Sequence, residues 1–439
     1  MIDCNEQMSQ EVFERSYERV RYEISRFPLY DLRSAIHYLR KYRRKKYSVN
    51  QYLLRHFTLK NIDLFGRSDD GLHRGKHSRE GDLQVSMVGD IMWMRKGWKE
   101  YLSEEVVSFL QGRDIVLGNL ETPVSVDHRV IEDLPDLFTF NSPPAMLDQL
   151  AQCFTAVSII NNHCLDKGVN GLLNTISELD SRNILHAGAC AYGRGREYVV
   201  IRKRGCRIAL LAYTWGLNKV KKSDAWHAAS LNILEISDPL KPIDYSGVKE
   251  HMRRAREDNV DLVICSLHWG YEFEMFPTYP MMNVARDLIA LGVDVIMGHH
   301  PHVLHPFELI DVNADRPFGF DNIEDRERPG ARKAVIVYSL GNFVSAMYTR
   351  ECLQSCIFNL DFSWNDGMFD LHSISYLPTY CMKKHRGKIS PKVVLLLQEI
   401  KNAHNPQLQR ELDLCYRDIT GHLGTGFLHG WGTNVQKKC

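Results

Sequence analysis

The stretch Gly298-His299-His300-Pro301-His302-Val303 places three imidazoles within four positions. Neutral imidazole is a ready ligand for Zn, Fe and Mn, and the His300-x-His302 spacing lets two rings face one site. Chemistry of the same kind recurs along the chain. Asp90 and Glu121 offer hard carboxylate oxygens, Asn162 an amide oxygen and His268 a further imidazole. No cysteine stands among them, which disfavours a structural zinc site. A mixed oxygen and nitrogen set suits one or two divalent ions, Mn, Fe or Zn, able to activate water at neutral pH and clamp a phosphoryl or carbonyl oxygen. His163, next to Asn162, could protonate a leaving group, with Asp166 three residues on to orient it.

Each of these residues follows a strand-like run. Val85-Ser86-Met87-Val88 leads into Gly89-Asp90, and Asp114-Ile115-Val116-Leu117 into Gly118-Asn119-Leu120-Glu121. Ala156 to Ile160 leads into Asn161-Asn162-His163, and Leu262 to Leu267 into His268-Trp269-Gly270. Val293 to Met297 precedes the histidine loop, where Gly298 and Pro301 break the strand, and Ala334 to Tyr338 precedes Gly341-Asn342-Phe343. Helix-like segments lie between, among them Gly171 to Asn183 and Pro280 to Leu291. Apolar strands separated by helices imply an α/β fold with a mainly parallel or mixed sheet. Ligands in such sheets bind beyond the carboxyl ends of the strands, where these polar residues fall.

The surrounding chain sets bounds. Hydrophobic residues make up 44% and charged residues 25% of 439 positions, as in ordinary globular proteins. The net charge of +1 gives no global pull toward nucleic acid. The cysteines number eleven and form no Cys-x-x-Cys pair, so they read as free thiols in a reducing compartment. Residues 1–80 read as a charged helical extension and linker, with helices to about Arg26 and from Asp31 to Tyr47. Its run Arg40 to Lys46 holds six basic residues in seven, either a solvated face or a patch for an anionic membrane or polyanion. The start of the sequence carries no apolar signal-like segment, and no window approaches eighteen apolar residues. The expectation is a cytoplasmic protein, peripheral at the membrane if the basic run binds lipid. The polar stretch Asp311 to Lys333 reads as an insertion loop, and residues 384–439 as a separate helical tail to a domain at 81–383.

Taken together, Gly89-Asp90-Ile91-Met92, Asn119-Leu120-Glu121-Thr122-Pro123, Asn161 to Gly168, His268-Trp269-Gly270-Tyr271-Glu272, the histidine loop and Tyr338 to Phe343 resemble the bacterial capsule-synthesis CapA family. That family is linked to poly-γ-glutamate production and belongs to the calcineurin-like metallophosphoesterase superfamily. The resemblance covers about residues 83 to 380 and implies a four-layer sandwich, two mixed sheets flanked by helices, with a dinuclear-type metal site. It implies metal ligands at Asp90, Glu121, Asn162, His268, His300 and His302, with His299 an alternative to His300. It implies catalytic roles for His163, Asp166 and Glu272, and substrate contacts at Asn119, His299, Trp269 and Asn342. Two positions depart from the superfamily's pattern. Met92 stands where a ligating His is usual, which weakens one metal subsite, and Glu121 stands where the bridging carboxylate is usually Asp. The implied reaction is water attacking a phosphoester, or an amide, of an anionic substrate. The alternatives are a non-hydrolytic accessory protein that binds the polymer or a synthesis complex, and a nuclease, against which the absence of a basic groove counts.

Overall fold

The computed structural model describes residues 82–429 except 96–97, 99, 131–138, 192–196, 219–228, 235–241, 313–331, 348, 366–367 and 386–387; before residue 82 it describes Phe57, Asn61 and the pair His73–Arg74. The expected N-terminal helices, the basic run at 40–46 and most of the expected insertion loop lie outside these residues.

Two sheets carry the described chain. The larger has nine strands in the order β1 (His73–Arg74), β16 (Met368–His385), β15 (Gln354–Asn365), β2 (Leu83–Ile91), β3 (Ile115–Leu120), β4 (Ala156–Ser158) and β5 (Leu185–Ala187), with β14 (Asn342–Val344) on β2 and β17 (Lys388–Leu395) on β16. The smaller runs β12 (Phe307–Asp311), β13 (Lys333–Val337), β11 (Val295–His299), β10 (Leu262–His268), β8 (Cys206–Thr214), β7 (Val199–Lys203). A two-stranded ribbon pairs β6 (Ala189–Ala191) with β9 (Ala229–Leu231). Both large sheets are mixed: β2, β3, β4 and β5 run parallel, as do β8, β10, β11 and β13, while β15, β7 and β12 join antiparallel.

Alternation along the strands sorts the core. In β8, Ile208, Leu210 and Ala212 join a cluster that also holds Val85, Met87, Val295 and Met297, so the two sheets share an apolar interior. Ala209, Leu211 and Tyr213 point the other way and pack with Val248, Met252 and Ala255 of the Ser246–Glu257 helix and Ala285, Leu288 and Ile289 of the Tyr279–Ala290 helix. Local signals place the helices. Ser103 accepts from the Val106 N–H ahead of Glu104 and Glu105, whose charges suit a helix start. Thr278 accepts from the Met281 N–H, with Pro280 in the first turn. Among the described residues no helix is long and apolar enough to cross a membrane.

Two expected boundaries are corrected. The division at 383/384 falls inside β16, and β17 pairs with β16 from Thr379 to His385. The Pro406–Leu423 helix buries Leu412, Cys415, Ile419 and Leu423 in the main hydrophobic cluster, so residues 388–428 belong to the same body. The extension is not wholly detached either. Phe57 is buried edge-on against Tyr338, and the Asn61 amide donates to Phe307 O and accepts from Leu309 N, closing part of the β12 edge.

Candidate metal centre

The parallel strands of both sheets end in one place. Asp90 closes β2, Glu121 follows β3, Asn161 to His163 follow β4, His268 ends β10, and His299 to His302 continue from β11. Close backbone contact fixes their heights. A Cβ on Gly89 would lie 2.1 Å from Gly341 O, and one on Gly298 would lie 2.1 Å from Tyr338 O. The loop then turns through left-handed backbone at His300 (φ 92°) and His302 (φ 59°). Non-glycine residues rarely hold such angles, and where they do the strain tends to mark a functional site.

Three overlapping groups bring ligand atoms within 4.8 Å of one another: Glu121, His268 and His300; Asp90, Glu121 and His302; Glu272, His300 and His302. All but Glu272, which is half-buried, are buried. His268 Nε2 lies 2.9 Å from Asn162 Oδ1 and 3.4 Å from Glu121 Oε1. His302 Nε2 lies 3.8 Å from the same Glu121 oxygen, while its Nδ1 faces Asn342 Oδ1 at 2.9 Å. An amide oxygen only accepts, so Nδ1 carries a proton and Nε2 is the nitrogen turned toward Glu121. Asp90 is engaged on both oxygens, by Asn119 Nδ2 (2.9 Å) and His299 Nδ1 (3.0 Å) on Oδ1, and by the His300 N–H (3.1 Å) on Oδ2.

The electrostatics point to a cation. Burial would raise the Asp90 carboxyl, but hydrogen bonds from His299 and His302 outweigh it and hold the group well below its ordinary value. Glu121 goes the other way, pushed well up by burial and then by the negative charges of Asp90 and Glu272. Burial, then neighbouring imidazoles, holds His268 and His300 neutral, the state in which histidine ligates. Neither Glu121 oxygen receives a hydrogen bond among the described residues, although both are buried. An unsatisfied buried carboxylate facing neutral imidazoles and a second carboxylate is what a divalent ion would complete. The donor set therefore fits Mn, Fe or Zn.

Beside this cluster, His163 Nδ1 bonds Asp166 Oδ2 at 2.7 Å. Phe140 stacks on the imidazole at 3.8 Å and 15°, and its N–H donates to the same Asp166 oxygen at 2.6 Å. Asn218 Nδ2 lies 3.2 Å from His163 Nδ1, and its Oδ1 accepts from Asn162 Nδ2 at 3.3 Å. Asn161 donates to Leu120 O and accepts from the His163 N–H. Neither Phe140 nor Asn218 was singled out in the sequence. Asn218 was within reach, since it follows the apolar run Ile208 to Tyr213, another strand ending in polar residues. Phe140 carried no signal, because its role depends on a contact across 23 positions.

Four residues expected at the substrate lie behind the ligand atoms. Asn119 lies 3.3 Å from His268 Nδ1 and bonds Asp90; His299 pairs with Asp90; Asn342 holds His302 and donates to Cys352 O. Trp269 is in the core, stacked on Tyr338 with its indole N–H on Tyr338 O. All four are buried, as the candidate ligands themselves are, and Asn119, His299 and Asn342 each bond one of those ligands. Met92 is buried with Trp93 and Phe140 and has neither the nitrogen nor the oxygen donor of the other candidate ligands.

The family description "Bacterial capsule synthesis protein PGA_cap" matches residues 84–347, more than half of the chain and every ligand named above. The chain belongs to the PGA_cap family. Two relatives are the capsule biosynthesis protein CapA of Bacillus anthracis, 26% identical over 282 residues, and the PGA biosynthesis protein CapA of Bacillus subtilis, 27% identical over 271. The matches span 61% and 60% of this chain and 61% and 63% of those proteins, so this PGA_cap chain covers about three fifths of the length of each. Among solved structures, the calcineurin-like phosphoesterase YfkN from Bacillus subtilis aligns with a TM-score of 0.38 at 12% identity, over 76% of this chain and 99% of that one.

Proposed function

We propose that this PGA_cap protein is a metal-dependent hydrolase of the metallophosphoesterase type, acting on a phosphoester of an anionic substrate connected with capsule or poly-γ-glutamate synthesis. The observation that carries the reading is Glu121, a buried carboxylate without a hydrogen-bond donor, aimed at His268 and His302 beside Asp90. In this reading Asp90, Glu121, Asn162, His268, His300 and His302 hold one or two divalent ions, and Glu272 stands next to His300 and His302 as a further donor. When bound, such ions supply Lewis-acid polarisation of the phosphoryl oxygen and an acidified water. The chain's own residues do the rest. Asn119, His299 and Asn342 fix the ligand carboxylate and ring, and burial excludes bulk water from them. His163, oriented by Asp166 and Phe140, carries a proton on Nε2 toward the leaving oxygen, and Asp166 stabilises the imidazolium. The cluster lies where parallel strands of both mixed sheets end, which supports reading the fold as a four-layer sandwich with its site at that edge.

The test is a panel of phosphomonoesters and phosphodiesters assayed after loading with Mn, Fe or Zn and again after chelation. Turnover that appears with metal and vanishes with chelator is expected. A second reading, an accessory protein that binds polymer without hydrolysis, rests on Met92, which offers no nitrogen or oxygen donor at the end of β2. Bound metal with no turnover across the panel would favour it.

A further inference from the structure

Past Asp90, the chain leaves β2 through Met92-Trp93-Met94-Arg95 and returns by Trp98. The two indoles stack at 5.8 Å and 18°, and the Arg95 guanidinium carbon lies 5.7 Å from one ring and 5.5 Å from the other. Trp93 in turn meets Phe140 at 6.1 Å, and Phe140 lies 3.8 Å from the His163 ring. Three short contacts therefore connect the guanidinium to the group beside the metal cluster. We propose that Arg95, with Trp93 and Trp98, is a substrate subsite that binds a second oxyanion, a carboxylate or phosphate carried on the non-reacting side of the substrate next to a flat or apolar portion.

A purely structural clasp explains less. Arg95 Nε is buried and has no hydrogen-bond acceptor among the described residues. Arg113, Arg286 and Arg332 each sit on a carboxylate, Asp361, Glu308 and Asp294; no described carboxylate pairs with Arg95. A buried guanidinium N–H left unmatched is unfavourable, and an oxyanion relieves it. Ring stacking occupies the face of a guanidinium and leaves its edge for two parallel hydrogen bonds to an oxyanion. The location also fits, since the loop lies past the carboxyl end of a ligand strand, where bound molecules sit in such sheets. A second anion held there would make the site selective for substrates with at least two charged groups and align the scissile one on the metal cluster and His163. This inference deepens the hydrolase reading and rests on it for the reacting end.

Its own end is tested independently. Benzoate, a flat oxyanion with no phosphorus, should quench the tryptophan fluorescence of the metal-loaded full chain. Arg95→Gln should weaken that binding about ten- to hundredfold, the worth of a charge-assisted hydrogen bond. Arg95→Lys, which keeps the charge and loses the fork, should fall between, and it carries the test if the Gln variant does not fold. In turnover, the ratio of KM for phenyl phosphate to KM for 4-carboxyphenyl phosphate should be well above one in the parent and collapse toward one in Arg95→Gln. Replacing the carboxylate probe with 1,4-phenylene bisphosphate distinguishes a carboxylate from a phosphate as the preferred second group. Benzoate binding that is absent in the parent, or unchanged in Arg95→Gln, overturns the subsite. Absent turnover with benzoate binding intact would overturn the hydrolase reading alone.

Discussion

Glu121→Gln should change the stability of this protein in opposite directions with and without metal. The glutamate is fully buried, neither oxygen receives a hydrogen bond among the described residues, and Asp90 brings a second carboxylate into the same ligand cluster. An unsatisfied buried polar group destabilises by about 1–3 kcal/mol, more when charged. Glutamine keeps the shape and removes the charge. In excess chelator, therefore, the variant should be more stable than the parent by about 1–3 kcal/mol, a rise in Tm of about 1–4 °C for a chain of this size. The difference should also depend on pH. Because burial and Asp90 raise the folded-state pKa of Glu121, the native parent binds a proton more tightly than the unfolded chain. Its stability thus falls as pH climbs from the ordinary carboxyl range toward the raised value. The advantage of the variant should be small in the ordinary glutamate range, about pH 4.3, and grow as pH rises above it. Adding metal should reverse the order. An ion at a hundred times its Kd stabilises the parent by about 2.7 kcal/mol, and the variant, lacking a charged ligand, should gain far less. Thermal melts of both proteins, in chelator and in Mn, at several pH values, are the assay. A variant less stable than the parent in chelator, or one with the parent's full metal-induced shift, would refute the argument that Glu121 is held for a cation.

His163→Asn should retain metal and melting temperature while losing about 10²- to 10⁴-fold in turnover, the usual worth of a general acid; metal content and rate measured on one preparation check it. Phe57→Ala should destabilise the chain by about 3–5 kcal/mol, because the ring is buried against Tyr338 and its loss leaves a cavity. Denaturant unfolding measures this, and a shift under 1 kcal/mol would return the extension to the status of a detached leader.

The strand-end reading worked because both signals are local. A β-branched run and the polar residue after it sit next to each other in sequence, and parallel strands collect such ends on one edge of a sheet. Asp90, Glu121, His268, His300 and His302 do converge. What the sequence hid depends on distant pairing. That Asn119, His299 and Asn342 stand behind the ligands follows from which neighbour each strand takes, and residue type does not encode that. The long β15–β16 hairpin and β17 were hidden for a related reason. Their polar faces interrupt the apolar pattern, so a boundary read from that pattern falls inside a strand. Trp269 illustrates the ambiguity of a large aromatic beside a ligand: its neighbour in sequence is at the centre, while its own ring fills the core on Tyr338.

The segment from Tyr338 to Gly341 touches both ligand strands, Gly89 of β2 against Gly341 and Gly298 of β11 against Tyr338, and it is tied to them by Asp90 N–H to Gly341 O and Leu340 N–H to Gly298 O. It acts as a spacer gauge. The gap between the carboxylate of one sheet and the imidazoles of the other is set by peptide groups in contact, whose radii no substitution can alter. Side-chain changes in the core can therefore loosen or tighten the fold without changing that gap. If the cluster holds a divalent ion as proposed, selectivity among ions is left to the reach of the side chains, and Glu121, one methylene longer than an aspartate, is where that reach can differ.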